Sequence, residues 1–305
     1  MTTPQSAILP ENSRHASFVT LVLNDGEAAE AALRTVAARV AAITTEIAAI
    51  DPGAELLSAI GFSDWMWARL GHGGRPMHLG PFPAMSGHGH DAPATPGDVL
   101  LYVRSARPDL NFMLTRAVLA ELGDAVEVVE HIDGFRYLDM RDMTGFVDGT
   151  ENPEGDERAA VALVGDEDPA FAGGSYMHVM RFVHDMDKWN RQAVHDQEKV
   201  FGRTKPDDEE LDDEVKPASA HISRVVIEED GEELEILRQS MPYGDTTRAG
   251  LVFVAFGKDT LIFRRMLERM YQGDADGTYD HLLDYTHAET GNLYFVPAQG
   301  FLDAL

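Results

Sequence analysis

Residues 144–153 read T-G-F-V-D-G-T-E-N-P and divide the chain into two stretches that share one order of expected elements. Gly149 tolerates a positive φ and lets the backbone approach something flat and close. Asn152-Pro153 ends the segment as a turn. Asp148 follows the apolar pair Phe146-Val147 and precedes Gly149. It is therefore expected on a tight bend, its oxygens aimed at whatever lies against the glycine. Taken alone, a D-G pair is better explained as a surface turn, so its weight comes from the flanks.

On the N-terminal side, residues 15–23 (H-A-S-F-V-T-L-V-L) read as a strand. Residues 25–50 carry Ala, Leu, Val and Ile at helical spacing, and Asp51-Pro52-Gly53 stops that helix. Residues 55–61 predict a second strand and 63–70 a short helix capped by Ser63. Residues 71–96 are rich in Gly, Pro and His and predict a long loop. A strand at 98–104, a helix at 108–122 and a strand at 126–137 complete a β-α-β-β-α-β order, the split ferredoxin-like pattern. On the C-terminal side, strand 175–184 and helix 187–200 precede a polar acidic insertion at 202–217. Strands at 221–227 and 235–239, joined by a turn at 229–232, then lead to strand 251–256, helix 261–271 and strand 292–296. The fold class expected is α+β: two ferredoxin-like modules, antiparallel sheets with helices packed on them, at residues 1–143 and 144–305.

Composition limits the chemistry. A chain of 305 residues with 44% apolar content builds a real core. Its 52 acidic against 25 basic residues give a net charge of −27. Such a surface repels phosphate backbones and anionic bilayers, which argues against nucleic acid and membrane partners. There are no cysteines, which removes disulfides, thiolate catalysis, zinc–thiolate sites and iron–sulfur clusters. A metal would have to be held by His, Met, Tyr or carboxylate. The N-terminal residues show no Sec or twin-arginine signal. No run of about 18 apolar residues occurs. A cytoplasmic location is expected.

Among the twelve histidines, His88 and His90 in G-H-G-H-D have no third ligand nearby and read as adventitious or structural. His178 and His184 share one strand face and read as core. The acidic run at 207–214 lacks the glycine and alternating spacing of a calcium loop, so a solvated, self-repelling loop is expected. His221 opens the apolar run H-I-S-R-V-V-I, and Arg238 lies inside another apolar segment. A buried arginine must be paired or must face a charged ligand.

Three segments carry a resemblance: G-F-V-D-G-T-E-N-P, F-G-R-T-K-P-D-D-E-E-L-D-D-E-V-K-P-A-S-A-H-I and R-Q-S-M-P-Y-G. Together they resemble the dye-decolorizing peroxidases, most closely the bacterial B-type subgroup, and the likeness runs over nearly the whole chain. It implies two ferredoxin-like modules with haem b (iron protoporphyrin IX) held mainly by the C-terminal one. His221 matches the axial iron ligand, and Asp284 matches the acceptor for its other nitrogen. Asp148 and Arg238 match the distal pair, which moves a proton between peroxide oxygens and stabilises charge on the departing one. Arg238 is expected to lower the Asp148 pKa. Ser240 stands where many relatives carry Asn, Gly149 belongs to the haem-binding turn, and Arg203 matches a position near a haem propionate. Glu151 has relatives implicated in manganese binding.

The resemblance further implies hydrogen peroxide and a small-molecule electron donor as partners, and a homo-oligomer is expected. Large dyes would be oxidised at the surface, with Trp65, Trp67, Trp189 or a tyrosine as relay, although packing is the simpler role for each. Some relatives carry a tail that targets them to a protein shell; loading by that route is not expected here. Two other readings remain open at this point. One is a haem- or porphyrin-handling protein with incidental peroxidase activity; the other is a ferredoxin-like module without a cofactor.

Overall fold

A computed structural model describes residues 2–70 and 73–305. The N-terminal half runs β1 (His15–Leu23), α1 (Glu27–Ala48), β2 (Leu57–Ser63), α2 (Asp64–Leu70), β3 (Val99–Ser105), α3 (Pro108–Leu122) and β4 (Val126–Phe135). Proline at the first helical position of α3 costs no hydrogen bond, because the N–H it lacks would be unpaired there anyway. Leu33, Val36, Ala37, Val40 and Ile43 of α1 and Leu110, Leu114, Val118 and Leu122 of α3 are buried in one core with the sheet. Their spacing of three and four places them on one helix face.

The C-terminal half runs β5 (Ser175–His184), α4 (Val194–Phe201), α5 (His221–Val225), β6 (Leu237–Arg238), β7 (Met241–Gly244), β8 (Ala249–Gly257), α6 (Leu261–Leu267) and β9 (Thr286–Val296). The nine strands named above join one antiparallel sheet in the order β6-β8-β5-β9-β2-β3-β1-β4, with β7 also paired to β8. Each half therefore has the ferredoxin-like order, in which the fourth strand lies beside the first. The halves meet where β9 pairs with β2 at Tyr294↔Ser63 and Phe295↔Phe62. The Trp67 ring packs against Phe171, Phe295 and Phe301 at this junction.

Several local expectations change in the fold. The segment at 71–96 is not all loop, because Met85–Gly87 and His90–Ala92 pair as a hairpin; residues 71 and 72 lie outside the described residues. The helix expected at 187–200 is two pieces, Met186–Trp189 and Val194–Phe201. The helix expected at 261–271 ends at Leu267 and continues as a wider turn over Glu268–Gln272. The strand expected at 221–227 is not one: His221–Val225 forms a helix, and Val226 leaves it in extended conformation. The run I-S-R-V-V-I puts Ile222, Val225 and Val226 toward one cavity at helical spacing, and that burial decides between the two periods. Among the described residues, no helix is long and apolar enough to cross a membrane.

Candidate active site

Alternate residues of β5 point to one face of the sheet. Met180, Phe182 and His184 share that face and line a large cavity, with Leu251 and Phe253 of β8 beside them. Helices α5 and α6 and the turn at 147–151 close it, leaving about 1480 Å³ of empty space, part of it open to solvent. The walls are mainly apolar, and a few polar groups converge on them.

His221 stands at the start of α5 and lines this cavity. Its Nδ1 lies 2.6 Å from Asp280 Oδ2, and the Asp280 side chain is fully buried. The other Asp280 oxygen accepts the Leu282 N–H at 2.9 Å and caps the turn His281–Asp284. A carboxylate only accepts, so Nδ1 carries the proton and Nε2 keeps its lone pair. Nε2 has no hydrogen-bond partner among the described residues. An imidazole fixed in this tautomer by a buried carboxylate, with a free nitrogen facing an apolar cavity, is the donor a metal requires.

This corrects one expectation. Asp284, matched by resemblance to the histidine's acceptor, lies on the other side of its turn. It accepts from Tyr279 Oη at 3.1 Å and stands 3.3 Å from His90 Nε2. Asp280 takes the expected place because it precedes the turn as its cap. Local sequence held that signal, an Asp immediately before H-L-L, but two aspartates four residues apart are equivalent until the turn is folded.

Gly149 lines the cavity with φ +90°, and a Cβ there would meet nothing within 4 Å. The glycine thus supplies both the backbone conformation and an open approach. Asp148 lines the same wall, its N–H donating to Met140 O at 2.8 Å. Asp148 also borders a narrow recess, where Ser240, Met140 and Met241 stand. Burial dominates its acidity. Arg238 and, less strongly, His221 pull the pKa down, while Asp142 pushes it up with burial, and the group stands at about 6. Arg238 was expected to win, but it forms no ion pair with Asp148 and acts only through space.

Arg238 lies in the two-residue strand β6 and faces the cavity. Its guanidinium donates to Thr150 O, and its backbone exchanges two hydrogen bonds of 2.9 Å with the Asn152 side-chain amide. Ser240 is buried; its Oγ accepts the Val254 N–H at 3.3 Å, and it borders the recess and not the cavity. Arg203 lines the cavity but is already engaged, with Nη1 3.0 Å from Glu151 and Nε 2.9 Å from Asp208.

Sequence reading missed a buried His–Asp hydrogen-bonded pair on the cavity wall. His184 Nε2 lies 3.0 Å from Asp142 Oδ1, and its Nδ1 is 2.8 Å from Thr286 Oγ1. Burial alone would raise the Asp142 pKa. The charge and bond of His184, with two bonds from Thr144, outweigh that and hold it at about 2. His178 is buried on the same strand face against Phe263, its Nε2 unpartnered, and burial pushes its pKa down to about 3. Of the tryptophans, Trp65 is exposed, Trp67 sits in the junction core, and Trp189 is buried between Phe201 and Tyr285.

Two family models match in tandem: the N-terminal part of Dyp-type peroxidases over residues 5–136 and the C-terminal part over 139–301. The dye-decolorizing peroxidase of Mycobacterium tuberculosis is 41% identical over 303 residues, which is 98% of this chain and 90% of that one. The DypB structure from Rhodococcus jostii aligns with a TM-score of 0.96 at 40% identity, covering 99% of this chain and 98% of that one. An arginine-to-leucine variant of that protein, solved in complex with haem, aligns equally well at 39% identity, over 100% and 99% of the two chains. The encapsulated peroxidase of Mycobacterium smegmatis aligns with a TM-score of 0.96 at 39% identity, over 99% and 98%. A cavity with a free imidazole nitrogen, an open glycine and two ionisable groups fits the haem found with these relatives, and the chain belongs to the dye-decolorizing peroxidases, the haem peroxidases of two ferredoxin-like modules.

Proposed function

We propose that His221 is the axial ligand of the haem and that Asp148 and Arg238 carry the proton and charge work of hydrogen peroxide reduction. The observation that supports this most is the pairing of His221 with buried Asp280, which leaves Nε2 free toward the cavity that Asp148 and Arg238 also line. When bound, haem iron supplies the electrons that reduce peroxide and recovers them one at a time from a donor.

The chain's own residues do the rest. Asp280 holds the His221 ring and its tautomer. Ionised Asp148 takes a proton from one peroxide oxygen and returns it to the other. The Arg238 guanidinium, held by Thr150 O, stabilises negative charge on the departing oxygen. Gly149 admits a flat ring, and Arg203 has N–H donors left over for a propionate after Glu151 and Asp208 are served. A haem carrier would need only the ligand and the cavity, so both distal charges on its wall speak for the enzyme. The chain is further read as a homo-oligomer. Strand β4 ends the sheet with Val128 and Val129 exposed along it, and an edge of that kind is normally covered.

Adding haem to the purified protein and to His221→Ala tests the site. The wild type should give a Soret band and peroxide-dependent dye oxidation, and the variant should lose or greatly weaken haem binding. A variant with the same Soret band and the same iron spin state would rule out His221 as ligand. Sedimentation tests the oligomer.

A further inference from the structure

We infer that Asn152 is a positioning residue for Arg238, so that the turn carrying one distal group also sets the place of the other. This rests on the role proposed for Arg238 above. The strand β6 pairs with β8 in the register Leu237↔Phe256 and Arg238↔Ala255. The next residue, Gln239, donates its N–H to Val254 O at 2.8 Å. In an antiparallel ladder, neighbouring residues turn their N–H and C=O alternately toward and away from the partner strand. The N–H and C=O of Arg238 therefore face away from β8. Strand β6 is the last of the sheet on this side, so these two groups have no further strand to pair with.

Asn152 takes both. Its Oδ1 accepts the Arg238 N–H at 2.9 Å, and its Nδ2 donates to the Arg238 O at 2.9 Å. The side-chain amide thus stands in for one residue of a neighbouring strand. It needs one acceptor and one donor side by side, which an amide has and a carboxylate or hydroxyl does not. The turn is itself anchored. Thr150 Oγ1 donates to Asp208 Oδ2 at 2.6 Å, and Arg158 donates to Pro153 O at 3.1 Å. Glu151 holds a left-handed φ of +60°, a strained position for a residue with a side chain. Thr150, in the same turn, accepts from the Arg238 guanidinium. The turn 148–153 grips the arginine at its backbone and its tip, and it bears Asp148. The two distal groups are one rigid unit, and Asn152 is the joint between its halves.

Gln239 shows why the joint is needed from this side. Its side chain points the other way, toward Arg104 and Ile8 O. Those bonds hold the strand but fix nothing on the edge where Arg238 faces the cavity.

The test uses haem-loaded Asn152→Ala and Asn152→Asp beside wild type and Arg238→Leu. Fluoride binding to the ferric protein is titrated by absorbance, because an anion at the iron reports whether the guanidinium is in place. The rate of the peroxide-induced Soret change and the melting temperature are measured on the same samples. Losing two hydrogen bonds of ordinary strength should weaken fluoride binding roughly tenfold in Asn152→Ala. Asn152→Asp keeps one bond and sets an oxygen against the Arg238 carbonyl, so it should show a loss of the same sign. It also covers the case in which the alanine variant fails to retain haem. A lower melting temperature with fluoride affinity and peroxide rate unchanged, in either variant, means that Asn152 only supports the fold and overturns the inference. If Arg238→Leu itself leaves both readouts unchanged, the role proposed for the arginine is what fails.

Discussion

Replacing Asp280 by Asn tests the proximal assignment with little disturbance of the fold. Asp280 uses one oxygen to cap the turn at Leu282 and the other to accept from His221. Asparagine caps about as well as aspartate, so the turn should persist. The charged acceptor is lost. A hydrogen bond to a charged group contributes about 1.5–3 kcal/mol, against about 0.5–1.5 kcal/mol for a neutral one. The difference of about 1.4 kcal/mol is roughly a factor of ten in equilibrium. For a one-electron couple the same factor is about 59 mV. The sign follows from the charge: a carboxylate on the axial imidazole favours ferric over ferrous iron, so its removal should raise the haem reduction potential by about that amount. Haem affinity should fall about tenfold. Potentiometric and haem titrations of Asp280→Asn and Asp284→Asn make the measurement, since the Asp284 carboxylate bonds to Tyr279 and His90 and not to His221. A shift in the Asp284 variant with none in the Asp280 variant would refute the assignment.

Three further expectations can be checked directly. Asp148, held at about 6 by burial, must be ionised to act; stopped-flow rates of the peroxide reaction should fall as pH drops through about 6. Arg238→Leu should move that limb upward, since it removes the largest influence opposing burial, and Asp148→Asn should abolish it; persistence of the limb without Asp148 would exclude it as the base. Asp142 stands at about 2 against an ordinary 3.8. The contacts of its carboxylate with His184 and Thr144 should therefore together contribute about 2 kcal/mol of stability above pH 4 that disappears as pH falls toward 2. His184→Leu strands the buried carboxylate and should cost about 3–5 kcal/mol in urea unfolding at neutral pH, with a cost near zero counting against the pair. Gly149→Ala places a methyl group toward the cavity at a left-handed φ, with a strain of about 1–2 kcal/mol. Haem affinity should drop, and an unchanged affinity would show that no ring approaches this glycine.

The elements that sequence alone specified are those whose pattern is local. Ser175–His184 and Pro108–Leu122 match their expected ends, because ten or more residues of one period leave no competing reading. The motif residues Asp148, Gly149, His221, Arg203 and Arg238 were likewise legible, and all line one cavity. Where the structure alone decided, two segments distant in sequence had to meet. His221 lies in a helix because its apolar neighbours find a cavity on one side, which no window of the chain displays. Asp280 and not Asp284 bonds the histidine because the turn buries the first carboxylate against His221 and directs the second to Tyr279 and His90. The acidity of Asp148 depends on the depth of its burial set against the distance of Arg238, and the partnership of Asn152 with Arg238 depends on which edge of a strand is left unpaired. Residue type sets what a side chain is able to do; burial and alignment across the fold determine which of two equivalent residues does it, and at what pH.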